Sequence, residues 1–141
     1  MESEMEHALQ YINHTAVFVA AAVNIVVGVI WYSPLMFHNA WKREIELSDH
    51  ELRVEHPWKR RFMMFFLSLI SAYNLAFFIA GPGTNWRWGL TAGFLVGFGW
   101  ASIIFTIIAK LENRTWTYIS INAGYIIVYF SLCGFILGIW R

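Results

Sequence analysis

Four runs of the chain carry no Asp, Glu, Lys or Arg: 15–34, 62–80, 88–109 and 115–140. Each is long enough for a spanning helix, which needs ~20 apolar residues. None shows the strict alternation of a barrel strand, and only helices or closed barrels satisfy the backbone in lipid. The pattern predicts an all-α integral membrane protein, a four transmembrane helix bundle forming a single membrane domain over 1–141. The connections are unequal. Residues 35–61 make one longer charged loop after helix 1, whereas GPGTNWR (81–87) and KLENR (110–114) are short.

The first run ends in VGVIWYSPLMF, residues 27–37. Trp31 and Tyr32 fall where amphipathic rings favour the membrane interface. Pro34 lacks an N–H and pushes Ser33 away from helical geometry, so the helix is expected to end or kink there. Leu35, Met36 and Phe37 are followed by Trp41, Lys42 and Arg43, as in a segment lying along the membrane surface. Further on, SDHE (48–51) has the capping-box pattern. It predicts a short helix to about Glu55, ending before Pro57. Trp58, Lys59, Arg60 and Arg61 then form a basic, aromatic membrane-surface anchor whose natural partner is anionic lipid head groups. The plainer reading of those charges is a topology signal.

Charge orients the bundle. The loops 35–61 and 110–114 together hold eight basic residues, and the opposite side holds only Arg87 and Arg141. The positive-inside bias puts both basic loops in the cytoplasm and both termini outside it. Composition agrees with a bilayer as solvent: 58% of residues are hydrophobic and 13% charged, against about 25% charged in soluble domains. Net charge is +1, so nothing points to nucleic acid. The acidic start, MESEMEH, argues against a cleaved signal peptide, which needs a basic n-region. Cys133 is the only cysteine and has no disulfide partner in the chain.

Helix 3 repeats small residues every four positions: Gly89, Gly93, Gly97 and Ala101. Gly134 and Gly138 give helix 4 a shorter version, and Ala20, Asn24 and Gly28 lie on a similar stripe in helix 1. Such faces let backbones approach closely. They predict a helix-packing face, with a partner in the same chain or in a second copy. GVIWYS at Gly28 also echoes GFGWAS at Gly97. That fits a parallel repeat of two halves, or the abundance of Gly and aromatic residues.

Asn24 and Asn74 fall near the bilayer midplane at ~1.5 Å rise per residue. Ser71 and Tyr125 lie close to that level, and Ser102 and Asn122 lie nearer the cytoplasm. An amide in hydrocarbon needs a partner, so these six are expected to face the bundle interior. There they serve interhelical hydrogen bonding or line a small polar pocket. No ionisable group lies in the middle of a span, where a proton-coupled transporter normally needs one. No phosphate loop, nucleophile elbow or CxxC is present. His50, Glu51, Glu55 and His56 match no strong zinc spacing. No catalytic, metal or cofactor-binding residue is assigned and no cofactor is expected.

The segments GVIWYSPLMF-HNAW, AYNLAF, GLTAGFLVGFGWAS and INAGY before a closing Gly-Ile-Trp resemble the bacterial membrane family catalogued as domain of unknown function 1761. The resemblance runs from about Asn13 to Trp140. Asn24 and His38 depart from its pattern. It implies a four-helix protein of a bacterial inner membrane, and no known activity. Three function classes follow from the residues. The foremost is a non-enzymatic protein acting through helix packing with itself, as a homo-oligomer, or with a membrane-protein partner. The second is a binder or carrier of a small neutral or lipidic molecule at a midplane pocket. The third is a lipid-modifying enzyme with His50 or His56 as base.

Overall fold

A computed structural model of the chain describes residues 1–48, 50–53 and 56–141. The helices, in chain order, are α1 (Glu2–Leu9), α2 (His14–Trp31), α3 (His38–Ile45), α4 (Pro57–Phe78), α5 (Trp86–Phe94), α6 (Ile103–Leu111) and α7 (Trp116–Ile139). A π-helical segment, Leu95–Ser102, joins α5 to α6, so the third span is one continuous helix, Trp86–Leu111. Among the described residues, α2, α4, this composite helix and α7 are long and apolar enough to cross a membrane.

Side-chain caps fix the helix starts. Asn13 accepts from the Ala16 amide at 3.1 Å. Asn85 accepts from the Arg87 and Trp88 amides at 3.0 and 3.2 Å, and Thr115 from the Tyr118 amide at 3.1 Å. Each satisfies amides that a helix N-terminus leaves without an internal partner. The composite helix ends in a Schellman motif. Asn113 takes the left-handed conformation at φ 58°. The Asn113 amide donates to the Lys110 carbonyl at 3.1 Å and the Arg114 amide to Ala109 at 2.9 Å.

At WYSP the chain turns rather than kinks. α2 stops at Trp31, Ser33 Oγ donates to the Ile30 carbonyl at 2.6 Å, and the His38 amide donates back to Ser33 at 3.2 Å. α3 then runs from His38, with Trp41 edge-on to Tyr32 at 5.4 Å between ring centroids. The SDHE capping box forms. The Ser48 amide donates to Glu51 Oε2 at 2.7 Å, and the Glu51 amide to Ser48 Oγ at 3.3 Å. The Ser48 amide and hydroxyl hold the Glu51 carboxyl below its usual range. The expected short helix does not follow over the described part, where His50, Glu51 and Leu52 form a turn. Its remaining positions Asp49, Val54 and Glu55 lie outside the described residues. α4 starts earlier than the apolar pattern indicates, because Pro57 is accommodated in its first turn. Trp58 to Arg61 are therefore exposed helical residues rather than loop.

The spatial order differs from the chain order. α7 packs along α5 and the π segment on one side and along α2 on the other, and α4 packs mainly on α2. α2 and α4 meet through small residues: Ala16, Ala20 and Asn24 against Ser68, Ala72 and Ala76, all buried. Tight apolar packing is concentrated at the end that carries the 81–87 turn, around Ile12, Val17, Leu75, Ile79, Cys133 and Leu137.

The glycine face of the third span is consumed inside the chain. A Cβ on Gly89 would run into the Gly134 carbonyl, one on Gly93 into the Phe130 carbonyl, and one on Gly138 would stand 2.6 Å from the Asn85 carbonyl. Of the two partners expected for this face, the same chain supplies one: α7 packs against Gly89, Gly93 and Gly97. The place of Ala101 is corrected. The π turn adds one residue per turn to the register, so the face passes from Gly97 to Ser102. Ser102 is buried and its Oγ donates to the Ala123 carbonyl at 3.2 Å.

Candidate functional site

α4 shares few contacts with α7, and between them a cleft opens. One part, about 330 Å³, is lined by Ile25 of α2, by Met64, Leu67, Ser68 and Ser71 of α4, and by Tyr125, Ile126, Tyr129 and Phe130 of α7. A second part, about 460 Å³, shares Leu67, Ser71 and Phe130 with the first and continues to Asn74, Phe78, Val96 and Trp100. The π segment supplies Val96 and Trp100, and the Trp100 ring meets Phe78 edge-on at 5.8 Å across the gap. Both parts are bounded mainly by apolar side chains, as most ligand sites are.

The floor of the first part is polar and its hydrogen bonds run one way. Asn24 Nδ2 donates to Ser68 Oγ at 3.4 Å. Ser68 Oγ lies 2.7 Å from the Tyr129 hydroxyl, which lies 2.5 Å from Ser71 Oγ. Ser71 Oγ donates to the Ser68 carbonyl at 2.9 Å. With that last donation fixed, Tyr129 donates to Ser71 and Ser68 donates to Tyr129, so each hydroxyl proton of the three is engaged. Asn24 is fully buried, lies against Cys133, and its Oδ1 has no partner among the described residues. Tyr125 stacks edge-on between Tyr32 at 5.4 Å and Tyr129 at 5.8 Å. Its hydroxyl sits over Gly28, where a Cβ would approach it to 3.1 Å.

Of the six polar residues singled out in the sequence, Ser71 and Tyr125 line the first part of the cleft, Asn24 lies buried beneath it against Ser68, and Asn74 lines the second part. Asn122 and Ser102 lie elsewhere. Asn74 is exposed on the outer part, its Nδ2 donating to the Ile70 carbonyl at 2.8 Å, which corrects its expected interior placement. A lone amide can satisfy itself on its own helix and so need not turn inward. Asn122 accepts from the Tyr32 hydroxyl at 2.6 Å and donates to the Tyr118 carbonyl at 2.9 Å, tying α2 to α7. Ser102 ties the π segment to α7. Sequence reasoning missed Ser68 and Tyr129. The signal was helical spacing: Ser68 precedes Ser71 by three residues and Tyr129 follows Tyr125 by four, so each pair shares a face.

Among the anchor residues, Lys59 Nζ lies 5.6 Å from the centre of the Trp58 ring. Arg43, Trp58, Arg60 and Arg61 are exposed, and Trp41 and Lys42 are half-buried on α3.

The fold and its lipid-directed apolar surface define a four-span α-helical membrane protein. Residues 15–138 match the family model described as Protein of unknown function (DUF1761), and the chain belongs to that family. No curated protein and no solved structure matches the chain.

Proposed function

We propose that the protein binds a lipidic or small neutral amphiphilic molecule in the cleft between α4 and α7. The observation that carries this reading is the cleft itself: apolar walls over a row of hydroxyls that leads to a buried, half-satisfied amide. Apolar walls suit an alkyl chain, and the hydroxyls beneath them donate to one another, so the chain meets no free donor there. Helix packing as the sole purpose loses its main support, since the glycine face is spent within the chain. The orientation that fits the charges keeps both basic loops in the cytoplasm and both termini outside.

Native mass spectrometry of protein extracted gently from its own membrane tests this. A discrete added mass of a few hundred daltons is expected on the wild type. It should be lost from Ser71→Phe, whose ring would fill the point where the two parts of the cleft meet. A bare chain mass for the wild type, or an adduct unchanged in a folded Ser71→Phe variant, rules the reading out.

A further inference from the structure

The cleft-lining stripe of α4 does not stop at the cleft. Met64, Leu67, Ser71, Asn74 and Phe78 all fall within about 40° of Arg60 at 3.6 residues per turn. Arg60 is exposed one helical turn beyond Met64, at the end where the basic loops gather. Arg61 points about 100° away, toward the α2 side of the helix. A cation therefore stands at the mouth of an apolar slot, on the same line as its walls. The lengths also agree. Arg60 and Ser71 are eleven residues apart, ~16 Å along the helix. One leaflet is half of a hydrocarbon core ~30 Å thick. The slot from Arg60 to the hydroxyl floor is thus about as deep as one acyl chain is long.

We propose that the occupant is an anionic phospholipid taken from the cytoplasmic leaflet, its phosphate on Arg60 and one acyl chain between α4 and α7. The inference rests on the cleft reading above and adds to it the class of head group and the direction of entry. The guanidinium matches phosphate as a charged, forked donor. Anionic lipids are the lipids that basic residues at the cytoplasmic surface attract. The Tyr125 ring, on the wall opposite Met64 and Leu67, lies deeper than the head group and borders the chain.

The experiment offers the protein in detergent an equimolar mixture of phosphatidylglycerol and phosphatidylcholine with identical chains, and counts the retained lipids by native mass spectrometry. The wild type should retain phosphatidylglycerol about fivefold over phosphatidylcholine, the ratio one basic contact supplies. Arg60→Gln should remove the preference and still retain lipid. Arg61→Gln, off the stripe, should keep the preference. Equal retention of the two lipids by the wild type overturns the head-group assignment and leaves the cleft reading standing. So does an Arg61→Gln variant that behaves as Arg60→Gln does, since that is what a diffuse surface charge would give. If the wild type retains neither lipid, or only a second copy of the chain, this inference falls, while the cleft reading stands or falls by the adduct of the native extract. Both substitutions are at exposed positions outside the packed core, so the comparison does not depend on a variant that disturbs folding.

Discussion

Gly93 lies against the Phe130 carbonyl, while Gly99, six residues further along the same span, has nothing within 4 Å of its would-be Cβ. The two glycines therefore separate packing from composition. Gly93→Ala forces a methyl into backbone that has no rotamer to yield, and overpacking typically costs ~1–3 kcal/mol. We expect a loss of about 2 kcal/mol or more, read as a fall in the thermal midpoint or a shift to aggregates on size exclusion. Gly99→Ala adds its methyl to open space and should stay within ~0.5 kcal/mol of wild type. Equal behaviour of the two variants would overturn the assigned interface. The same scale shows what the residues alone could reveal. The four-residue glycine period announces close approach between backbones, and so it was legible. It carries no information on whose backbone approaches. Asn24 was legible as buried, because an amide in a lipid-spanning helix seeks shelter. Its partner Ser68 was not, because a serine or threonine hydroxyl among apolar neighbours also satisfies itself on its own helix, as Thr106 does toward the Ser102 carbonyl.

The π segment is the element that most changes the picture. Its sequence, LVGFGWAS, holds no residue that forbids an ordinary α-helix, so nothing local predicts the extra residue in the turn. The consequence is a face that continues at Ser102 rather than Ala101, and a Trp100 that reaches across to Phe78. Deleting Gly99 should convert the segment to α-helix, with Gly97 and Ser102 then four apart and still on one face. We expect a folded, monodisperse protein whose cleft wall is altered, visible as reduced lipid retention. Inserting an alanine after Gly99 turns Ser102 and Ala109 off the interface by about 100° and should abolish the monodisperse species. If the deletion variant fails to fold while the insertion is tolerated, the register assigned here is wrong. Elsewhere the elements follow the hydropathy closely, with two exceptions of clear origin. α1 is too polar to register as apolar periodicity. α4 begins in charged sequence because Pro57 sits comfortably in a first turn.

At the scale of the molecule, the chain is two helical hairpins joined along α2 and α7: α2 with α4, and the third span with α7. Two polypeptides covering 1–82 and 83–141, co-expressed, should therefore co-purify as a complex, and each alone should be lost to degradation. Recovery of either half by itself in monodisperse form would show that the α2–α7 seam is dispensable. The hairpin order was beyond hydropathy, which counts spans and says nothing of their neighbours. It was fixed by side chains that meet only in three dimensions: Trp31 Nε1 donating to the Ile121 carbonyl at 3.0 Å, and Gly124 lying under the same indole. That seam also has a history in time. α2 leaves the ribosome early and α7 last, and the 61 residues that follow Phe78, up to Ile139, take roughly 3–12 s to translate at typical rates. For those seconds the Trp31 indole lacks its carbonyl, and Asn24 lacks the wall that Cys133 provides. The nascent protein holds the Asn24–Ser68 contact between α2 and α4 while the helix that covers it is not yet synthesised.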